Sequence, residues 1–77
     1  MEVTYSQHFR QREVLRVIPQ GLAEDVFQNA DSYFNDSVTG TFVAVKRALF
    51  NGVSRDVALI YRRIDARKVI FITIHLL

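Results

Sequence analysis

The stretch KVIFITIHL, residues 68–76, runs through six consecutive β-branched or aromatic residues, Val69 to Ile74, and contains no proline or glycine. A strand sends successive side chains to opposite faces, so this pattern predicts a strand over Lys68–Leu76. Ile70, Ile72, Ile74 and Leu76 then make an unbroken apolar side, expected to lie under helices. Val69, Phe71, Thr73 and His75 point the other way. That second side is too apolar for plain solvent, which implies either a central place in a sheet or an exposed binding groove.

Working backwards, Ile64–Arg67 reads as a turn and Asp56–Arg63 as the preceding strand. Asn51-Gly52 is the strongest local turn signal in the chain, because both residues tolerate positive φ. Thr41–Phe50, rich in β-branched and aromatic residues, predicts another strand. Asp36, Ser37 and Gly40 supply turn chemistry after a short edge strand at Asp31–Asn35. Upstream the texture is helical. Ser6, or Thr4 with Gln7, can cap a helix beginning near residue 6. Val14, Leu15, Val17 and Ile18 fall on one arc expected to meet the sheet, with Phe9 off that arc and covering an end of the core. Pro19 and Gly21 interrupt this helix, and Ile18, Leu22, Val26, Phe27 and Ala30 carry a second one to about Asn29. The fold class expected is α+β, one domain over residues 1–77, with two N-terminal helices packed on a three- to four-stranded antiparallel sheet.

The chain has 77 residues, 49% hydrophobic and 23% charged, too apolar for a disordered segment. It has no cysteine and two histidines far apart, which excludes disulfides and thiolate sites and argues against a dedicated zinc site. The opening MEVTYSQHF has no long apolar run, so neither a secretory signal nor a membrane span is expected, and the cytoplasm is the expected location. Charge is uneven. Residues 1–43 carry three arginines against six acids, and residues 44–77 carry seven basic residues against Asp56 and Asp65. A basic sheet half suits nucleic acid and also serves plain solubility.

His8, Arg12 and Arg16 recur at i, i+4, i+8 and form a ridge down one helix flank. Such a row can take a phosphate backbone, or be a solvated flank with an arginine paired to a carboxylate of the second helix. Lys46, Arg47, Arg55, Arg62 and Arg63 add charge on the hairpins, and the adjacent pairs must split between faces. Tyr61 has a polar handle beside Arg62 and Arg63; aromatics with flanking charge can stack on bases, but the ordinary strand spacing makes most of the chain's aromatics more simply core or partner-interface residues. His75 reads either as a buried, satisfied imidazole or as a cleft residue. A metal-independent ribonuclease needs a base, an acid and cations around the phosphate. The candidates are His8, Arg12, Tyr61 and His75 for chemistry, with Arg16, Lys46, Arg55 and Arg62 for holding nucleic acid. Paired carboxylates at metal spacing, a phosphate-cradling glycine loop and a dinucleotide fingerprint are all missing, so no cofactor is expected.

The segments YSQHFRQREVLRVIPQGLAEDVF, SYFNDSVTG and VALIYRR, with the last strand around Thr73, resemble a family of small uncharacterised proteins near the RelE and BrnT toxins. The resemblance implies two N-terminal helices against an antiparallel sheet. It implies a cleft that cleaves RNA without metal, and a protein antitoxin that blocks it. By position His8, Arg12 and Arg16 match the family's histidine-and-arginine helix, and Tyr61 falls on its central hairpin. The chain departs where the family's arginine-glycine-isoleucine step would sit, reading Arg16-Val17-Ile18. The alternative expectation is a non-catalytic RNA- or protein-binding module, acting as a small regulatory or dimeric subunit. A dimer would then cover Val69, Phe71 and His75.

Overall fold

The computed structural model describes residues 2–50 and 52–77. In chain order the elements are β1 (Glu2–Tyr5), α1 (Gln7–Leu15), α2 (Leu22–Asn29), β2 (Ser32–Asp36), β3 (Thr41–Phe50), β4 (Val53–Arg63) and β5 (Lys68–Leu76). The strands form one sheet in the order β1-β5-β4-β3-β2. The α+β class is as the sequence predicts, and so is the meander β3-β4-β5. The sheet differs in being five-stranded and mixed, because Glu2–Tyr5 pairs parallel to Lys68–Phe71. This strand is too short to show a period of its own. Asn51 lies outside the described residues, and with it half of the Asn51-Gly52 turn.

Ser6 couples helix to sheet. Its hydroxyl accepts from the Phe9 N–H at 3.0 Å, capping α1, and donates to the Ile72 carbonyl at 2.9 Å. Its backbone N–H reaches the Phe71 carbonyl at 3.0 Å. One residue therefore sets where α1 begins and where it sits on β5. At the other end, Val17 N–H donates to Val14 and Ile18 N–H to Glu13, the paired bonds of a Schellman stop. Val17 occupies the left-handed position of that motif with φ 51°, a site that normally takes glycine. This is the physical meaning of Arg16-Val17-Ile18. Replacing Val17 with glycine should raise stability by up to about 1 kcal/mol in urea denaturation, since a side chain there costs roughly 1–2 kcal/mol and Gly returns part of that as unfolded-state freedom. Val17 is 81% exposed, so little burial is lost.

Two expectations about side-chain direction need correction. The face of α1 that meets the sheet is the one carrying Phe9, which is fully buried; of the expected arc only Ile18 enters the core, while Val14, Leu15 and Val17 stand in solvent. Positions 14 and 15 lie roughly 120–140° around the helix from Phe9, so one face excludes the other. On β5 the parity switches part-way. Ile60 pairs with Thr73 and Tyr61 with Phe71, leaving Ile72 as an extra residue in a bulge. Before the bulge Val69 and Phe71 face the helices; after it Ile74 and Leu76 do. Half of the expected isoleucine side is thus correct, and Ile70 lies on the outer face.

The core is an aromatic ladder across the helix side of the sheet. Phe71 meets Tyr5, Phe9 and Phe27 at ring centroids of 5.4, 5.6 and 5.4 Å, and Phe27 meets Tyr61 edge-on at 5.0 Å. Tyr61 in turn stacks on Phe42 at 5.4 Å. Each contact joins different elements, so the rings tie β1, α1, α2 and three central strands together.

Candidate functional site

β1 pairs only with Lys68–Phe71, so residues 72–76 of β5 run on as an open edge. α1 lies along this edge, and its turns bring His8, Arg12 and the capping residue Arg16 toward it. Arg16 donates to the Ile74 carbonyl and lies 3.0 Å from His75 Nδ1. Arg12 Nε donates to His8 Nε2 at 3.2 Å. The ridge expected from the i, i+4, i+8 spacing therefore meets the end of the last strand, where His75 is half-buried with its Nδ1 engaged by Arg16.

The hydrogen bonds decide what this cluster can offer. Guanidinium groups only donate, so His8 accepts at Nε2 and His75 at Nδ1. In their neutral forms His8 then carries its proton on Nδ1 and His75 on Nε2. Two imidazole N–H groups and two guanidinium groups are gathered with no acceptor among them left unengaged. Burial holds the His75 pKa below its ordinary value, and the positive charges of Arg16 and Arg12 depress it further. A neutral His75 near pH 7 follows.

Among the described residues, neither arginine has a carboxylate partner. The ion pairs are Arg10–Glu13, Lys46–Asp25 and Arg47–Asp56. His8 on this flank is exposed, as the solvated-flank reading has it, but the pairing of Arg12 or Arg16 with an acid of α2 does not form among the described residues. Arg16 also lines a cavity of about 730 Å³ between the α1–α2 junction and the β3–β4 hairpin. Arg55 lines the opposite wall and donates to the Leu77 carbonyl at 3.3 Å; Val17, Ile18, Leu49 and Val53 supply apolar surface. The sequence pattern carried no sign of this groove, because its walls come from residues some 35 apart in the chain.

Other expected site residues lie elsewhere. Tyr61 is in the core on the helix side, its hydroxyl pKa raised by burial. Lys46 points toward α2 and bonds Asp25, whose carboxyl is held below the usual range chiefly by that bond. Arg62 alternates with Tyr61 and so projects, exposed, from the outer face of the sheet. Four residues converge (His8, Arg12, Arg16 and His75), with Arg55 across the groove. Val69 and Phe71, expected at a dimer surface, are inside the core.

Among the described residues, no three His, Cys, Asp or Glu side chains gather as a metal-ligand set, and no helix is long and apolar enough to cross a membrane. Comparisons with protein-family models, curated proteins and solved structures return no match.

Proposed function

We propose that this chain is an RNA-directed domain that grips the sugar-phosphate backbone at the His8–Arg12–Arg16–His75 cluster. The observation that carries the reading is the set of donors without a counter-charge: two arginines and two imidazole N–H groups on one open edge. A phosphodiester supplies the acceptors that this set lacks, and guanidinium groups fit it bidentately. RNA is favoured over a small anion because the adjoining groove continues past Arg16 to Arg55 along apolar walls on which a base can rest.

A second reading, metal-independent cleavage in the manner of a toxin, is favoured by His75. If a phosphate draws the Arg16 guanidinium away, Nδ1 of a neutral imidazole is released beside the scissile group and can take the 2′-hydroxyl proton. His8, once protonated, can return a proton to the leaving oxygen, while Arg12 and Arg16 hold the charged intermediate. Tyr61 has no part in this scheme. The resemblance to RelE and BrnT toxins adds a protein antitoxin as the expected partner. Binding is measured by fluorescence anisotropy with single-stranded RNA over a salt series, and cleavage with and without EDTA against a His8→Ala/Arg12→Ala variant. RNA that binds without turnover removes the cleavage reading and leaves the binding module. Preparations that neither bind nor cut remove both.

Acidity should act in opposite directions on the free and the bound protein. The folded His75 pKa is lowered, so the unfolded chain takes up more protons and the free protein loses stability as pH falls below about 6.5. A bound phosphate favours the imidazolium and raises the His75 pKa in the complex above that of the free protein, so RNA affinity should rise as pH falls toward the free protein's lowered pKa. Thermal melts and anisotropy at pH 5.5 and 7.5 check both signs, and His75→Ala should weaken both trends, leaving His8 in the cluster.

A further inference from the structure

The two edges of the sheet are treated differently. On β5, the carbonyls of Ile72 and Ile74 are closed by the Ser6 hydroxyl and the Arg16 guanidinium. At the far edge, every residue of β2 is exposed, and Ser32–Asp36 contains no lysine, arginine, proline or bulge to blunt it.

Which groups this edge offers follows from register. Leu77 N–H donates to the Asp56 carbonyl at 2.8 Å, so Asp56, Ala58 and Ile60 turn their backbone groups toward β5. Val57, Leu59 and Tyr61 then turn toward β3, where their partners are Lys46, Ala44 and Phe42. By the same alternation Thr41, Val43 and Val45 face β2, and Asp36, Phe34 and Ser32 face back. The N–H and C=O of Tyr33 and Asn35 are therefore left on the open side.

That pattern is complementary to itself. We infer that two copies of this chain associate by antiparallel β2–β2 pairing about a two-fold axis through Phe34, making one continuous sheet. Tyr33 then exchanges both backbone bonds with the partner's Asn35, and Asn35 does the same with the partner's Tyr33, which satisfies all the open edge groups. Phe34 meets the partner's Phe34 at the non-hydrogen-bonded position, where side chains approach most closely. Ser32 lies opposite the partner's Asp36, a donor facing an acceptor. The flanking acids are occupied within their own chain: Asp31 accepts from Arg47 N–H at 3.0 Å, and Asp36 from Val38 N–H at 3.0 Å. Phe34, Val43 and Ile60 form a row on the outer face, and the pairing extends this row across the axis. Since β2 is the strand farthest from β1 in the sheet order, both cationic clusters stay open.

Sedimentation equilibrium without RNA, together with amide hydrogen exchange, tests this independently of any nucleic-acid reading. The expected result is a mass rising from one copy toward two with concentration, with exchange at Tyr33 and Asn35 slowing in step. The Phe34 amide, bonded to β3, is protected throughout. Asn35→Pro removes an N–H that points away from β3 and should abolish the dimer while the thermal melt is retained; Phe34→Lys sets like charges face to face and should do the same. A strict monomer at all concentrations overturns the inference, as does concentration-independent exchange at Tyr33 and Asn35 should either variant fail to fold. A dimer that survives Asn35→Pro but is lost in Ile70→Lys overturns it in favour of the outer face.

Discussion

Phe71→Ala is expected to leave the chain without a cooperative unfolding transition at 25 °C. Phe71 is fully buried and its ring touches Tyr5, Phe9 and Phe27, which belong to β1, α1 and α2. Removing a core phenylalanine costs about 3–5 kcal/mol in transfer and cavity terms. A core in a chain of this length supplies only about 3–5 kcal/mol of net stability, so a single truncation removes most of it. Phe34→Ala is the contrast: the same chemistry at a 58% exposed position should cost well under 1 kcal/mol in the monomer. Urea denaturation followed by circular dichroism compares the two. If Phe71→Ala kept a midpoint near the parent's while Ile70→Ala unfolded the chain, the bulge at Ile72 would be misplaced and the whole register of β5 with it.

The second large effect falls on RNA. Replacing Arg12 and Arg16 together by alanine should weaken binding at least a hundredfold at 0.1 M salt, since each hydrogen bond to a charged group contributes about 1.5–3 kcal/mol. The salt dependence should change as well. Each phosphate contact contributes about 0.7 to the slope of log K against log salt for single strands, so two lost contacts flatten it by about 1.4. Arg62→Ala on the outer face should change affinity less than about twofold, because it lies on the side of the sheet away from the cluster. Arg16 also closes the Ile74 carbonyl, so its loss carries a stability cost. Arg16→Lys keeps the charge and gives up the bidentate fork. A lysine variant that folds, keeps the salt slope and loses affinity would assign the difference to guanidinium geometry. Equal losses from Arg62→Ala and Arg12→Ala would mean that general basic charge, and not this cluster, holds the RNA.

Period-two order placed β3, β4 and β5 within a few residues, and β2 within one, because alternation and turn chemistry are local signals. Ser6 was legible as a cap for the same reason, and the spacing of His8, Arg12 and Arg16 as one ridge followed from helix pitch alone. The departure at Arg16-Val17-Ile18 was visible as a word in the sequence. Its consequence, a valine held at positive φ, became visible only in the backbone.

What the chain's own order determined, then, was the type of both helices and of β2 to β5, and the row of charge on α1. Tertiary structure decided the rest: that Glu2–Tyr5 is a strand, which needs the distant Lys68–Phe71 to exist; that a bulge at Ile72 turns Phe71 inward; and that Arg16 meets His75 while Tyr61 is withdrawn into the core. These depend on contacts between residues some 60 apart, or on one extra residue in a pairing. Neither leaves a periodic trace, because periodicity reports only how a segment faces its immediate surroundings.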